Sequence, residues 1–284
     1  MKIFVKFFSS FCSSENCLSV YERLCPQFVD GNIVITNDDS LYTHAIIINI
    51  AMPTLRIKKE NVIGLAFEPP AFLNLTNEFI EYAKKNIETY YIGDNLNGLP
   101  PLFKSYYGFL WHITPSITNF NFEKTKLMSI IISDKQNTTC QSYRHSIVKA
   151  ILSTNLPIDI YGKGCYLYKK DRDSRVKGSF VELEPYKDYK YHICIENFQT
   201  NDYFSEKITN PLLVGVIPIY LGCKQIKKYF SQDENLFLLT GNINNDINLI
   251  FSICNGKIKR NKMNFDSILN TISLYNELSK VWKN

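Results

Sequence analysis

Tyr203, Glu206 and Lys207 are residues whose types and spacing could do chemistry in this sequence of 284 residues. They lie in the run Asp202-Tyr-Phe-Ser-Glu-Lys-Ile, where a helix is expected to open at Asp202, a favourable N-cap. At i, i+3 and i+4 the three side chains would share one helix face. The free N–H groups and dipole of a helix N-terminus favour anions. Lys207 would add a positive charge for a phosphate, Glu206 could accept hydrogen bonds from two ribose hydroxyls, and Tyr203 could donate one to a phosphate. Together they suit a nucleoside diphosphate. An ordinary capped helix with a Glu–Lys surface pair has the same residues, and such pairs are common.

The elements that must position this helix start are legible as an alternation of apolar runs and amphipathic stretches. Strands are expected at Lys2–Phe8, Asn32–Thr36, Ala45–Ile50, Val62–Phe67 and Thr89–Ile92, with helices at Ser14–Cys25 and Leu75–Lys85. A loop-like stretch follows, Gly93–Thr114, rich in aromatics from Tyr106 to Trp111. A second alternation has strands at Lys126–Ser133, Ile158–Tyr161, Tyr191–Ile195 and Val216–Leu221. Its helices are expected at Tyr143–Leu152, from Asp202, and over Asn264–Trp282, with Asn242–Asn248 merely Asn-rich. Pro211 falls inside the second of these helices, where it should kink or end it. Strand–helix alternation predicts an α/β fold with parallel sheets. The expected domains are 1–120 and 121–284, the final helix packing back on the first. Ligands of such sheets bind beyond the carboxyl ends of the strands, which points to the residues after Phe67, Tyr161 and Ile195.

Composition narrows the class. The chain is 45% hydrophobic and 21% charged, with a net charge of +5, as expected of a globular protein with a real core. Its basic residues are scattered, apart from small groups at Lys224–Lys228 and Lys257–Lys262, so no nucleic-acid partner is expected. None of the eight cysteines forms a Cys-x-x-Cys pair, which argues against zinc. Met1–Phe11 lacks a cleavage region, and the longest apolar run, Ala45–Met52, is too short to span a bilayer. A soluble, cytoplasmic protein with reduced thiols and no integral membrane segment is therefore expected.

The segment Tyr191–Gly222 carries Glu196-Asn197, Tyr203-x-x-Glu206-Lys207 and Gly215-Val-Ile-Pro218-Ile-Tyr-Leu-Gly222 in order. It resembles the donor-binding signature of the α-1,3-fucosyltransferases, glycosyltransferase family 10. Ile158-Asp-Ile-Tyr-Gly162-Lys-Gly164 is similar to the family's strand-and-glycine turn, and Arg144 matches its phosphate-holding arginine. The resemblance covers about residues 125–223. It implies a GT-B fold, two Rossmann-like domains facing across a cleft, with the nucleotide-sugar donor in the second domain and a glycan acceptor against the first. It implies an inverting transferase using GDP-fucose or another nucleotide sugar, with no cofactor required. Arg144 and Lys207 would neutralise the diphosphate, Tyr203 would hydrogen-bond it, Glu206 would hold the ribose, and Glu196 and Asn197 would shape the pocket. Glu68, in Phe67-Glu68-Pro69-Pro70, resembles the family's Glu-Ser-Pro element and would be the base, its turn stiffened by two prolines. A plain strand-end turn has the same residues. Ser205 stands where the family commonly has Thr.

Other candidates are weaker. Asp171-Arg-Asp173 has the form of a metal-binding Asp-x-Asp but sits in a charged run that suits a solvated loop, and a hard-metal site needs several convergent oxygens. The histidines His44, His112, His145 and His192 are dispersed. The Tyr106–Trp111 aromatics could stack on a sugar or simply pack.

Overall fold

The computed structural model describes residues 2–93, 97–105, 122–171, 173–230 and 235–282. The Tyr106–Trp111 cluster and His112 lie outside the described residues. Two compact units divide the chain. One holds Met1–Trp111, Thr200–Ser205 and Ile272–Asn284; the other holds His112–Gln199 and Glu206–Thr271.

The first unit is built on strands β1 (Ile3–Ser9), β2 (Ile33–Ile35), β3 (His44–Ile48), β4 (Val62–Leu65), β5 (Thr89–Ile92) and β6 (Phe103–Ser105). They pair in parallel in the order β2-β1-β3-β4-β5-β6. Ile- and Val-rich runs buried on both faces favour this arrangement, and every residue of β4 is buried. Helices α1 (Ser14–Leu24), α2 (Gln27–Asp30), α3 (Pro70–Leu73) and α4 (Asn77–Asn86) complete the connections. Tyr21 of α1 stacks on Phe7 of β1 with ring centroids 4.8 Å apart. Two strands stop short of the expected ends. β3 halts where Asn49 turns to φ 53°, and β4 ends at Leu65, before Phe67. Helix α4 opens at Asn77 because the Thr76 hydroxyl accepts the Phe79 N–H. β6 forms inside the stretch expected to be a loop; its short, half-exposed sequence carries no clear apolar alternation.

The second unit has β7 (Lys126–Ile131), β8 (Ile158–Tyr161), β9 (Val176–Gly178), β10 (Tyr189–Ile195), β11 (Ile217–Leu221) and β12 (Phe237–Leu238). All pair in parallel, in the order β12-β11-β10-β7-β8-β9. Counted from β7, this is the order 3-2-1-4-5-6 of the dinucleotide-binding sheet, with its topological switch point between β7 and β10. The helices are α5 (Thr139–Leu152), α6 (Glu206–Leu213), α7 (Ile226–Tyr229), α8 (Ile243–Cys254) and α9 (Phe265–Ile272), while α10 (Leu274–Val281) belongs to the first unit.

Three helices differ from expectation. α6 starts at Glu206, not at Asp202: Asp202 gives its N–H to Gly93 O, 3.2 Å away, so residues 202–205 serve the first unit rather than opening a helix. Pro211 lies within α6, which ends soon after, at Leu213. The Asn-rich stretch is α8: Asn242 caps it through Asn244 N and Asn245 N, and the fully buried Asp246 carboxylate accepts from Tyr143 Oη, Thr240 and Gly241 N. The single C-terminal helix expected over Asn264–Trp282 is two, because Ser273 leaves helical geometry and its hydroxyl caps α10 at Asn276 N. Among the described residues, no helix is long and apolar enough to cross a membrane.

Candidate nucleotide-sugar site

The switch point of the second sheet brings together the connection after β10 and the helix after β7. Thr138 caps α5 reciprocally with Gln141, a capping box that satisfies two helix-end N–H groups. The Thr138 hydroxyl also donates to Asn197 O at 2.6 Å. From the next turns of α5, Arg144 Nη2 donates to Asn197 Oδ1 at 2.7 Å. Asn197 is therefore held at both its backbone and side-chain carbonyls by one helix. Arg144 is 6% exposed. Burial lowers its pKa, with the Glu196, Cys140 and Glu206 charges acting in the opposite direction, but a guanidinium remains charged through the whole working range. Its Nε has no hydrogen-bond partner among the described residues, an arrangement that costs about 1–3 kcal/mol.

Lys207, in the first turn of α6, stands between two carboxylates. Its Nζ donates to Glu206 Oε1 at 2.9 Å and lies 3.6 Å from Glu196 Oε2. Burial opposes the ammonium, but the Glu206 and Glu196 charges outweigh it, so the Lys207 pKa is raised. Glu196 is 1% exposed, and a buried carboxylate needs such a partner. The glycine ending the Gly215–Gly222 stretch has a physical reason: a Cβ at Gly222 would collide with Glu196 Cγ and with the Tyr220 hydroxyl. That hydroxyl in turn accepts the Cys223 N–H at 2.8 Å.

These groups border a cavity of about 460 Å³, lined among others by Lys135, Arg144, Lys163, Asn197, Glu206 and Lys207. Four cations against two carboxylates, Glu182 and Glu206, in that lining suit an anion bearing hydroxyl groups. Lys135 and Lys163 were missed in the sequence. Both follow the carboxyl ends of strands, β7 and β8, and that rule of position could have found them.

Five of the predicted site residues, Arg144, Glu196, Asn197, Glu206 and Lys207, therefore gather in the second unit. Tyr203 and Glu68 belong to the first. The Tyr203 hydroxyl donates to Phe67 O at 2.9 Å, and Glu68 lies exposed just past it, before Pro69. His145 is held between the Tyr168 hydroxyl (2.7 Å) and the backbone oxygen of Ser133 (2.9 Å), and Ser133 lines the cavity. The Asp173 carboxylate pairs with Arg175 at 2.7 Å, whose Nη1 donates to Ile151 O and Leu156 O around the end of α5. Among the described residues, no group of three His, Cys, Asp or Glu side chains could hold a metal ion.

Two parallel α/β units, the second with a dinucleotide-binding strand order and a cationic cavity at its switch point, define the GT-B class of glycosyltransferase folds. A crystal structure of an α1,3-fucosyltransferase with GDP-fucose matches 100% of this chain and 91% of its own, with a TM-score of 0.55 at 12% identity. Anabaena HepE in complex with UDP-glucose matches 100% and 96%, with a TM-score of 0.50 at 11% identity. Residues 121–236 match the family model for glycosyltransferase family 10 (fucosyltransferase), C-terminal region. Alpha-(1,3)-fucosyltransferase B of Drosophila melanogaster is 37% identical over 95 residues, 31% of this chain and 21% of that protein. GDP-fucose protein O-fucosyltransferase 3 of Gallus gallus is 25% identical over 122 residues, 40% of this chain and 25% of that protein. The matched stretches span about a quarter or less of these relatives.

Proposed function

We propose that this chain is an inverting glycosyltransferase that moves a sugar, fucose from GDP-fucose, to a hydroxyl of a glycan acceptor. The observation that carries the reading is the pairing of Arg144 and Lys207 with Asn197 and Glu206 around the switch-point cavity, within the stretch that matches family 10. The two relatives' names share fucose transfer, and one of them names GDP-fucose as donor and protein as acceptor. Residues 121–284 are accordingly the donor domain in this reading and residues 1–120 the acceptor domain.

In the reaction, the acceptor O–H gives its proton to the Glu68 carboxylate while the oxygen forms a bond to the anomeric carbon. The anomeric C–O bond breaks on the opposite face, and its electron pair leaves with the nucleoside diphosphate. Arg144 and Lys207 offset the charge that develops there. Glu206 accepts from the ribose hydroxyls, and Glu196 keeps Lys207 protonated. Two fixed cations supply this stabilisation without a divalent metal, so activity should survive EDTA.

Thermal-shift titration with GDP, GDP-fucose and UDP-sugars tests the donor. A ligand that binds only the native state raises its stability by RT ln(1 + [L]/Kd), about 2.7 kcal/mol at a hundredfold excess over Kd. GDP compounds should shift the transition and UDP-sugars should not; no shift with any of them would overturn the reading. Glu68→Gln should retain GDP affinity and lose turnover, and proton NMR of the product should show an inverted anomeric centre.

A further inference from the structure

Tyr203 lies outside α6, in the Thr200–Ser205 segment that packs with the first unit. It is 7% exposed, and several contacts fix it there. Its N–H donates to Thr200 Oγ1 at 3.0 Å. The preceding N–H, of Asp202, donates to Gly93 O just past β5. Gly93 is required at that point, because a Cβ on it would strike Tyr203 Cβ. The buried phenol then donates to Phe67 O at 2.9 Å.

The other polar group of Phe67 is held as well. Its N–H donates to Asn49 Oδ1 at 2.8 Å. Asn49 is 8% exposed and adopts φ 53°, a left-handed conformation that Asn tolerates better than other side-chain-bearing residues but that still costs energy. Its own N–H donates to Leu65 O at 2.9 Å, and its carbonyl accepts from the Tyr90 hydroxyl at 2.8 Å. Asn49 thus ends β3 in a form that aims its amide at the chain leaving β4. The Phe67 carbonyl belongs to the peptide plane shared with Glu68 N, so the Tyr203 hydroxyl orients the peptide from which Glu68 projects. On the far side, Pro69 sets φ at −61°.

We infer that Tyr203 and Asn49 are positioning residues for the Glu68 carboxylate, acting through the Phe67 peptide. The Tyr203 segment is flanked in sequence by Asn197 and Glu206, so the connection that carries the donor residues also supplies a contact that orients the base. This rests on the reading of Glu68 as base. Orientation is what such a contact alters, and misplacement of a catalytic group by about 1 Å lowers rate by up to about a hundredfold.

Tyr203→Phe in the full chain removes the O–H and keeps the ring. The expected result is kcat lowered about tenfold with a displaced acidic limb of the kcat–pH profile, while the Kd for GDP by calorimetry stays within about twofold. Asn49→Gly keeps access to positive φ and removes the amide; it should reproduce the same split, and the double variant should lose less than the product of the two effects, because both act on one peptide. A raised GDP Kd with kcat unchanged at saturating donor would make Tyr203 a donor contact and overturn the inference. A lowered Tm with kcat and pH profile unchanged would reduce it to packing. Glu68→Gln separates the layers. If that variant stays fully active, the base reading fails and the inference with it. If it is inactive while Tyr203→Phe keeps the wild-type kcat and pH profile, only the inference fails.

Discussion

Lys207 keeps its charge because Glu206 and Glu196 stand against it, and Arg144 because a guanidinium does not deprotonate at working pH. Both cations are fixed before any ligand arrives: Lys207 by the Glu206 contact of 2.9 Å, and Arg144 by Asn197 at 2.7 Å. Charge-assisted hydrogen bonds are worth about 1.5–3 kcal/mol each. Lys207→Ala and Arg144→Ala should therefore weaken GDP binding by about 10- to 100-fold in calorimetry. Near-wild-type affinity in both would remove them as phosphate ligands. Lys207→Ala should also lower the Tm, since it leaves the Glu196 carboxylate, 1% exposed, without its ammonium, and breaking a buried pair costs about 3–5 kcal/mol. The residue types here were legible because the Glu-Asn, Glu-Lys and Gly-x-x-Pro patterns are local. Lys135 and Lys163 were not singled out, since a lone lysine after a strand looks like any surface lysine until the strand order is known.

At the scale of elements, α5 is the part on which the candidate site depends. Its N-cap residue, Thr138, accepts from Gln141 N and donates to Asn197 O, so one hydroxyl ends the helix and anchors the connection after β10. Thr138→Ala should cost about 1–2 kcal/mol of stability from the cap and, through the freed Asn197 carbonyl, weaken GDP binding severalfold. Thr138→Ser, which keeps the hydroxyl, should restore both in denaturant titration and calorimetry. An alanine variant with lowered stability and unchanged GDP affinity would limit Thr138 to capping. Helix and strand interiors in this region were readable from their periodicity. The start of α6 was not. Asp202 is a good N-cap by composition, but its N–H is taken by Gly93 O from a distant strand end, and that long-range contact outweighs the local preference.

Across the whole molecule, two buried histidines should make stability depend on pH. The Ser129 hydroxyl donates to Pro185 O, so His192 Nδ1, 2.7 Å from Ser129 Oγ, must carry the hydrogen and donate to it. His192 is a neutral imidazole whose pKa burial pushes down from 6.5 to about 3, and burial lowers that of His145 too. The unfolded chain takes up a proton near pH 6.5 that folded His192 accepts only near pH 3. Between those values unfolding binds protons, so the stability contributed by neutral His192 is present above pH 6.5 and is lost as the pH falls. The loss should approach about 1.4 kcal/mol per pH unit for this one group. Urea unfolding at a series of pH values from 7 to 4 should show it, and His192→Asn should flatten the slope. An unchanged slope in that variant would assign the acid sensitivity elsewhere.

The sequence by itself determined the α/β class, most strand interiors and several side chains of the candidate site, because each depends on short-range patterns: apolar period, paired charges, glycine at a close approach. Only the tertiary structure decided how those residues act on one another. Arg144 and Asn197 are 53 positions apart, and their hydrogen bond exists because β10 lies beside β7 at the point where strand order reverses. The partner of Tyr203 was decided in the same way. Its spacing to Glu206 and Lys207 suggested one helix face, but packing of Thr200–Ser205 against Gly93 turns the phenol to the Phe67 carbonyl. Which group a side chain reaches is set by contacts between distant stretches of chain, and no local pattern encodes them.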